Sequence, residues 1–348
     1  MHILPFQGTL AQRRPGKAKA GEVFERIESG FDGWDRNGDG KLSWSEMRRA
    51  VADPANKGRQ AAALGTLYAL MEAEQDGRGH PSFERDRLAD LAEEDDPGYD
   101  DAYRMLLGKL EGSAHQLYTS ELPDAFSIQQ GVSPSCAFLS AMFGQARRDP
   151  ALLREAITEL PDGRLGVKFA GLDKTIKISP PTDTELALYS GSGQDGYWLT
   201  CFEKAWGVHH GGRRLGAFEH SDAWPEDAIE AITGGQAGTA RVPRHPTLEK
   251  GEVPTFLRPL QRELASNHIA IAWTNFEEVE QAGLVTGHAY ALVGYDEDKG
   301  TVELRNPYGH GEPSDANGQA LDGRDDGLFK LTLEQFSENF VKLAYQTD

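Results

Sequence analysis

The apolar positions of this chain change period along its length, and those changes predict its elements. Between Glu22 and Trp34, residues Phe24, Ile27, Phe31 and Trp34 recur at three- and four-residue steps, the spacing of one helix face. Gln60–Glu74 repeats the pattern with Leu64, Leu67, Tyr68 and Met71, and Tyr99–Leu110 gives a shorter helix after the break at Asp95-Asp96-Pro97-Gly98. Cys136–Arg148 carries Ala137, Phe138, Leu139, Ala141, Met142, Phe143 and Ala146 at helical spacing, and Ala151–Glu159 continues helical. Tyr197–Trp206, Ala223–Ala231 and Pro254–Asn267 are predicted as further helices, while Arg164–Phe169 and Lys174–Ile178 alternate like strands. From His268–Trp273 onward strands dominate. Gly287–Tyr295 reads as a buried strand, and Thr301–Gly309 as its partner across a turn at Asp296–Gly300. Helices first and strands last predict an α+β fold.

One helix start carries chemistry. Pro134-Ser135 is a start signal, with Ser135 able to cap the first free N–H groups, so Cys136 falls in the first turn. There the helix dipole favours thiolate over thiol. The predicted hairpin brings His288, near the start of one strand, toward Asn306, at the end of the other. A lone Cys on an apolar helix is usually core, and a lone His in a strand is usually structural. The order Cys, His, Asn reverses that reading, because it matches a papain-like cysteine peptidase. In such a site Cys136 attacks a peptide carbonyl, His288 moves the proton and Asn306 holds the imidazole.

The blocks around these residues resemble calpain. Gln130-Gly131 ahead of Cys136, Gly287-His288-Ala289-Tyr290 and Arg305-Asn306-Pro307-Tyr308-Gly309 are similar to its active-site blocks. Tyr197-Trp198-Leu199-Thr200-Cys201-Phe202-Glu203-Lys204-Ala205-Trp206, Ile232-Thr233-Gly234-Gly235 and Asp326-Gly327-Leu328-Phe329 through Gln335-Phe336 resemble further calpain segments in the same order, over roughly residues 115 to 348. The resemblance implies a papain-like fold of two subdomains, a helical nucleophile half and a β-rich His/Asn half, and hydrolysis of protein or peptide substrates. It implies that Gln130 donates its amide to the oxyanion together with the Cys136 N–H. It also implies calcium in the protease core. Glu312 and Asp326 match ligands of one such site, where Leu328 replaces an acidic residue, and Ser127 stands where the other has Asp. The Trp after the family's nucleophile is Ala137 here, and the Trp after Asn-Pro is Tyr308.

A second motif precedes the peptidase blocks. In Asp35-Arg36-Asn37-Gly38-Asp39-Gly40-Lys41-Leu42-Ser43-Trp44-Ser45-Glu46, the residues Asp35, Asn37 and Asp39 occupy positions 1, 3 and 5 of an EF-hand calcium loop. Gly40 makes the turn at 6, Lys41 offers its carbonyl at 7, and Glu46 supplies the two-oxygen ligand at 12. Leu42 is the apolar residue expected to pair with a second hand. That hand is predicted over 60–95, with a loop from Glu74 to Arg85. Arg78 and Arg85 take the places of ligands, so it is expected to stay empty. The predicted cofactor is Ca²⁺.

Composition narrows the partners. A net charge of −19 over 348 residues argues against nucleic acid and anionic membrane, and suits calcium or simple solubility equally. The two cysteines, Cys136 and Cys201, form no disulfide framework and fit a reducing, cytoplasmic compartment; Cys201 reads as a small buried hydrophobe. No apolar run is long enough for a membrane span. His209-His210 has no visible third ligand and reads as a solvated loop.

The expected organisation is a mobile basic tail over 1–20, an all-α EF-hand pair over 21–112, and peptidase subdomains over 113–240 and 241–348. A catalytically silent calcium-binding protein on the same fold is the alternative function. An acyl-transfer relative such as a transglutaminase has Asp in the third role, and Asn306 argues for hydrolysis.

Overall fold

The computed structural model describes residues 21–73, 82–94, 96–211, 224–244, 256–258, 268–315 and 318–347. The predicted basic tail, most of the second calcium-type loop and nearly all of the predicted 254–267 helix lie outside these residues.

The first unit is helical. Helix α1 (Glu22–Trp34) buries Val23, Ile27, Phe31 and Trp34, with Phe24 only partly covered, against Tyr99. A tight loop leads through β1 (Lys41–Leu42) into α2 (Trp44–Val51). The start of α2 is fixed by a reciprocal capping box between Ser43 and Glu46. Helix α3 (Gly58–Ala73) is buried on all sides from Ala61 to Met71, because its small residues admit several neighbours at once. Strand β2 (Phe83–Glu84) pairs antiparallel with β1, setting Leu42 opposite Phe83, and α4 (Arg87–Glu93) and α5 (Pro97–Glu111) complete the unit.

Farther along, α6 (Cys136–Arg148) and α7 (Pro150–Glu155) are followed by an antiparallel sheet of β3 (Ile157–Glu159), β4 (Leu165–Val167) and β5 (Ile176–Ile178). The predicted helix over 151–159 therefore ends early. β-Branched Ile157 and Thr158 instead pair with Val167 and Gly166. Helix α8 (Asp183–Leu188) packs its Leu186, Ala187 and Leu188 into the core of the first, helical unit. The predicted Tyr197–Trp206 helix is α9 (Trp198–Gly211), so His209 and His210 occupy its last turn rather than a loop. Helix α10 (Pro225–Thr233) follows.

The last part is a six-stranded sheet in the order β10-β9-β8-β7-β11-β6, antiparallel throughout. Its strands are β6 (Gln236–Arg241), β7 (Ala270–Thr274), β8 (Ala289–Asp296), β9 (Thr301–Arg305), β10 (Leu328–Thr332) and β11 (Phe340–Thr347), with α11 (Leu333–Asn339) before the final strand. Since β6 pairs along β11, the sheet begins before residue 241. Period-two alternation divides the side chains. Ile271, Ala289, Ala291 and Ala344 join the core under α6, while Ala270, Ala272, Tyr290, Leu292, Val302 and Leu304 join the core under α11. Ser140 of α6 donates to Ala289 O at 3.3 Å, tying that helix to the start of β8.

Candidate active site

The β8–β9 pair does the positioning. Ala291 stands opposite Arg305, so His288, just before β8, and Asn306, just after β9, reach the same end of the sheet. His288 Nε2 lies 3.0 Å from Asn306 Oδ1. The Asn306 amide is held at both ends: its Nδ2 donates to Gly311 O at 2.8 Å, and its Oδ1 also accepts the Tyr308 N–H at 3.1 Å. With the oxygen facing the ring, Nε2 must carry the hydrogen, which leaves Nδ1 as the proton acceptor. The ring is stacked on Tyr308 at 4.6 Å and meets the edge of Tyr290 at 4.9 Å. Thr274 fixes the backbone beneath it, accepting the His288 N–H at 2.8 Å. Burial pulls the imidazole down to about 4, against the opposing pull of the Asn306 bond.

Cys136 is the first residue of α6 and is partly exposed. Backbone N–H groups of Ala289, Ala137 and Cys136 itself face its sulfur, so the thiol lies beside the residue that follows His288. Those dipoles favour thiolate, as the helix start predicts, but burial outweighs them and pushes the thiol up. Burial thus disfavours the charged form of each group. Ser135 departs from expectation too. It makes no side-chain cap, because its hydroxyl turns away from α6 to the buried carboxylate of Glu203.

Gln130 is on the adjoining loop. Its backbone N–H donates to Pro307 O at 2.8 Å, tying this loop to the residue after Asn306. Its side-chain Nε2 donates to Ser133 O at 2.8 Å, and its Oε1 is buried with no partner among the described residues. Only glycine fits at 131, where a Cβ would lie 2.2 Å from Leu188 O.

A model of the calpain family of cysteine proteases matches residues 111–345. The chain belongs to the calpain family. A thiol protease of Porphyromonas gingivalis (strain ATCC BAA-308 / W83) is 24% identical over 285 residues, covering 69% of this chain. The chain spans 57% of the length of that relative.

The residues compared above with core calcium ligands fall in two places. Glu312 is 4% exposed; its Oε1 accepts N–H groups of Asp326 and Gly327 at 2.7 and 2.6 Å, and its Oε2 is buried without a partner among the described residues. Burial pushes this carboxyl up to about 7. An orphaned buried oxygen suits a cation, but the Asp326 carboxylate accepts from Leu328 N instead, leaving Glu312 short of companions. At the other place, Ser127 donates to Asp195, whose carboxylate also receives the Ser120 hydroxyl, the Asp124 N–H at 2.8 Å and the Trp198 indole at 3.1 Å.

The N-terminal loop gathers the residues that the calcium motif names. Asp35 accepts Gly38 and Gly40 N–H groups at 2.8 Å each, Asn37 accepts from Asp39 N, and Asp39 from Lys41 N. Glu46, nearly buried, closes the loop by accepting from Arg36, Asn37 and Ser43, and the Ser43 bonds hold its carboxyl below the usual range. Gly38 and Gly40 take the positive φ angles of 70° and 78° that the turn needs. The donor set fits a calcium ion in chemistry. Among the described residues no group of three or more His, Cys, Asp or Glu side chains is drawn together around a common point. Arg85, at the ligand position of the second loop, points to Glu28 and Asp32 of α1 at 2.6 Å each.

Sequence reasoning missed Glu203 as a site residue. It is a lone carboxylate among Trp198, Leu199, Cys201, Phe202 and Trp206, all buried, and a charge at the centre of an apolar helix is itself a signal.

Proposed function

We propose that this chain is a calcium-binding cysteine endopeptidase that uses Cys136, His288, Asn306 and Gln130. The observation that carries the reading is the Asn306-held imidazole, with its Nδ1 free, beside the strand residue whose N–H meets the Cys136 sulfur. In this reading the thiol proton passes to His288 Nδ1 as sulfur attacks the peptide carbonyl. The oxyanion takes the Cys136 N–H and one Gln130 Nε2 hydrogen, released from Ser133 O. Collapse breaks the C–N bond, and His288 hands its proton to the leaving amine. Water, deprotonated by His288, then cleaves the thioester.

Calcium is read at the loop of an N-terminal EF-hand, where Asp35, Asn37, Asp39, the Lys41 carbonyl and Glu46 would hold the ion. Glu312 and Asp326 are a weaker second possibility. A regulatory reading draws on contacts at the C-terminal end of this hand. Thr182 donates to Val51 O at 2.6 Å, Asp183 binds Lys57 and the Gly58 N–H, and Leu188 O accepts the Val132 N–H at 2.9 Å. Helix α8 thus joins the hand to the loop before Cys136, so that ordering the hand favours the closed, active arrangement. Equal activity of Asp35→Ala and parent at every calcium level would remove that role.

The test of the reaction is cleavage of unfolded protein, with internal cuts as the endopeptidase signature. The committed state of Gln130 Nε2 favours one rival, a catalytically silent calcium-binding protein; that rival predicts binding of calcium with no cleavage.

A further inference from the structure

Beneath the turn that carries Cys136 lies a carboxylate with no part in the proton transfers above. Glu203 is fully buried on α9. Its Oε1 accepts the hydroxyls of Ser135 and, at 3.0 Å, Ser190; its Oε2 accepts the Ser190 N–H at 2.5 Å. Ser135 precedes Cys136, and its carbonyl takes the Leu139 N–H at 2.9 Å, so it forms the first rung of α6. Ser190 Oγ accepts the Gly131 N–H at 3.2 Å, one residue from Gln130. One buried acid therefore ties both ends of the segment 130–136. Burial pushes this carboxyl up, and the Ser135 and Ser190 donors together with Lys109 pull it back. Lys109 of α5 donates its Nζ to the carbonyl of Tyr189, next to Ser190.

The two oxyanion donors of the proposed mechanism sit on this tied segment. The base and its orienter do not: they depend on β8, β9 and Thr274. The sulfur is met by the Ala289 N–H, also from the sheet. We propose that Glu203 is a positioning residue for the oxyanion site, holding the Cys136 N–H and the Gln130 amide in register through Ser135 and Ser190. This rests on the peptidase reading.

The division between donors and thiol gives the test. A peptide aldehyde adds the thiol and forms a tetrahedral oxyanion, whereas iodoacetamide is attacked at a saturated carbon and forms none. Parent, Glu203→Gln and Ser135→Ala are compared for kcat and KM on a peptide amide, aldehyde affinity, iodoacetamide alkylation rate at Cys136 and thermal midpoint. The amide of Glu203→Gln replaces one accepting oxygen with a donor and so breaks a serine bond; Ser135→Ala removes one tie and keeps the acid. The expected result is a loss on the order of 10-fold or more in kcat and in aldehyde affinity, with KM and alkylation within about 2-fold of parent. Unchanged kcat and aldehyde affinity overturn the proposal. So does an equal fall in alkylation and kcat, which marks a residue that only holds the fold. If Glu203→Gln does not fold, Ser135→Ala decides alone. A parent chain that neither alkylates nor hydrolyses sinks the peptidase reading and this proposal with it, whereas an active parent with unaffected variants sinks this proposal only.

Discussion

His288 Nε2 and Asn306 Oδ1 are 3.0 Å apart, and the amide is prevented from flipping because its Nδ2 is already given to Gly311 O. A flipped Asn306 would set Nδ2 against Nε2 and favour the wrong tautomer. Asn306→Ala frees the ring to turn and leaves Nε2 unsatisfied in a buried place. The expected effect is a fall in kcat on the order of 10²-fold with KM little changed. Steady-state kinetics on a peptide amide checks it; a proportional rise in KM would show that Asn306 serves substrate binding instead.

Burial of His288 in its neutral form makes a pH prediction. Its value is about 4 in the folded chain against 6.5 for the free side chain, so between those values the unfolded chain binds a proton that the folded chain does not. Stability is therefore present above pH 6.5 and lost as pH falls toward 4, by up to about 3 kcal/mol. His288→Gln has no such proton to bind and should show a shallower decline over that window. Urea midpoints of both chains at several pH values between 7 and 4 test it, and parallel declines would contradict it.

Calcium binding at the Asp35–Glu46 loop predicts linkage to folding. Parent should melt at higher temperature as calcium is raised, by the equivalent of about 2.7 kcal/mol when the ion is a hundredfold above its dissociation constant. Asp35→Ala and Glu46→Gln should lose the response. A shift that survives both variants would place the ion elsewhere, with Glu312 the next site to substitute.

Two residues joining the first loop to β2 and α1 should differ sharply in worth. Leu42 is fully buried opposite Phe83, so Leu42→Ala is expected to cost about 2–5 kcal/mol. Arg85 makes the shorter contacts, at 2.6 Å to Glu28 and Asp32, yet its side chain is about a third exposed and water already serves such charges. Arg85→Ala should cost far less than Leu42→Ala. Denaturant titration of the two variants separates burial from charge pairing; a larger loss for Arg85→Ala would reverse the ranking.

How much of this was legible in the sequence follows from how local each feature is. Helix α6 and strands β8 and β9 rest on periodicity and short-range turn chemistry, and the predicted ranges lie within a few residues of those found. The Ile157–Glu159 strand was hidden because an apolar run of that length also fits a helix, and only its pairing with β4 decides. Ser135 looked like a cap because its partner, Glu203, is remote in sequence and meets it only in the fold. The thiol looked acidic because the helix dipole is a local property, while the burial that outweighs it comes from the sheet packed across α6. Packing of α8 into the first helical core likewise depends on contacts with Val51, Lys57 and Gly58.

The central claim is that Cys136 is a nucleophile served by His288. Digestion of unfolded casein by parent and by Cys136→Ala, with calcium and with chelator, tests it most directly. Parent should cut casein internally and Cys136→Ala should not, at any calcium level. Equal cleavage by both chains, or none by parent in either condition, would contradict it.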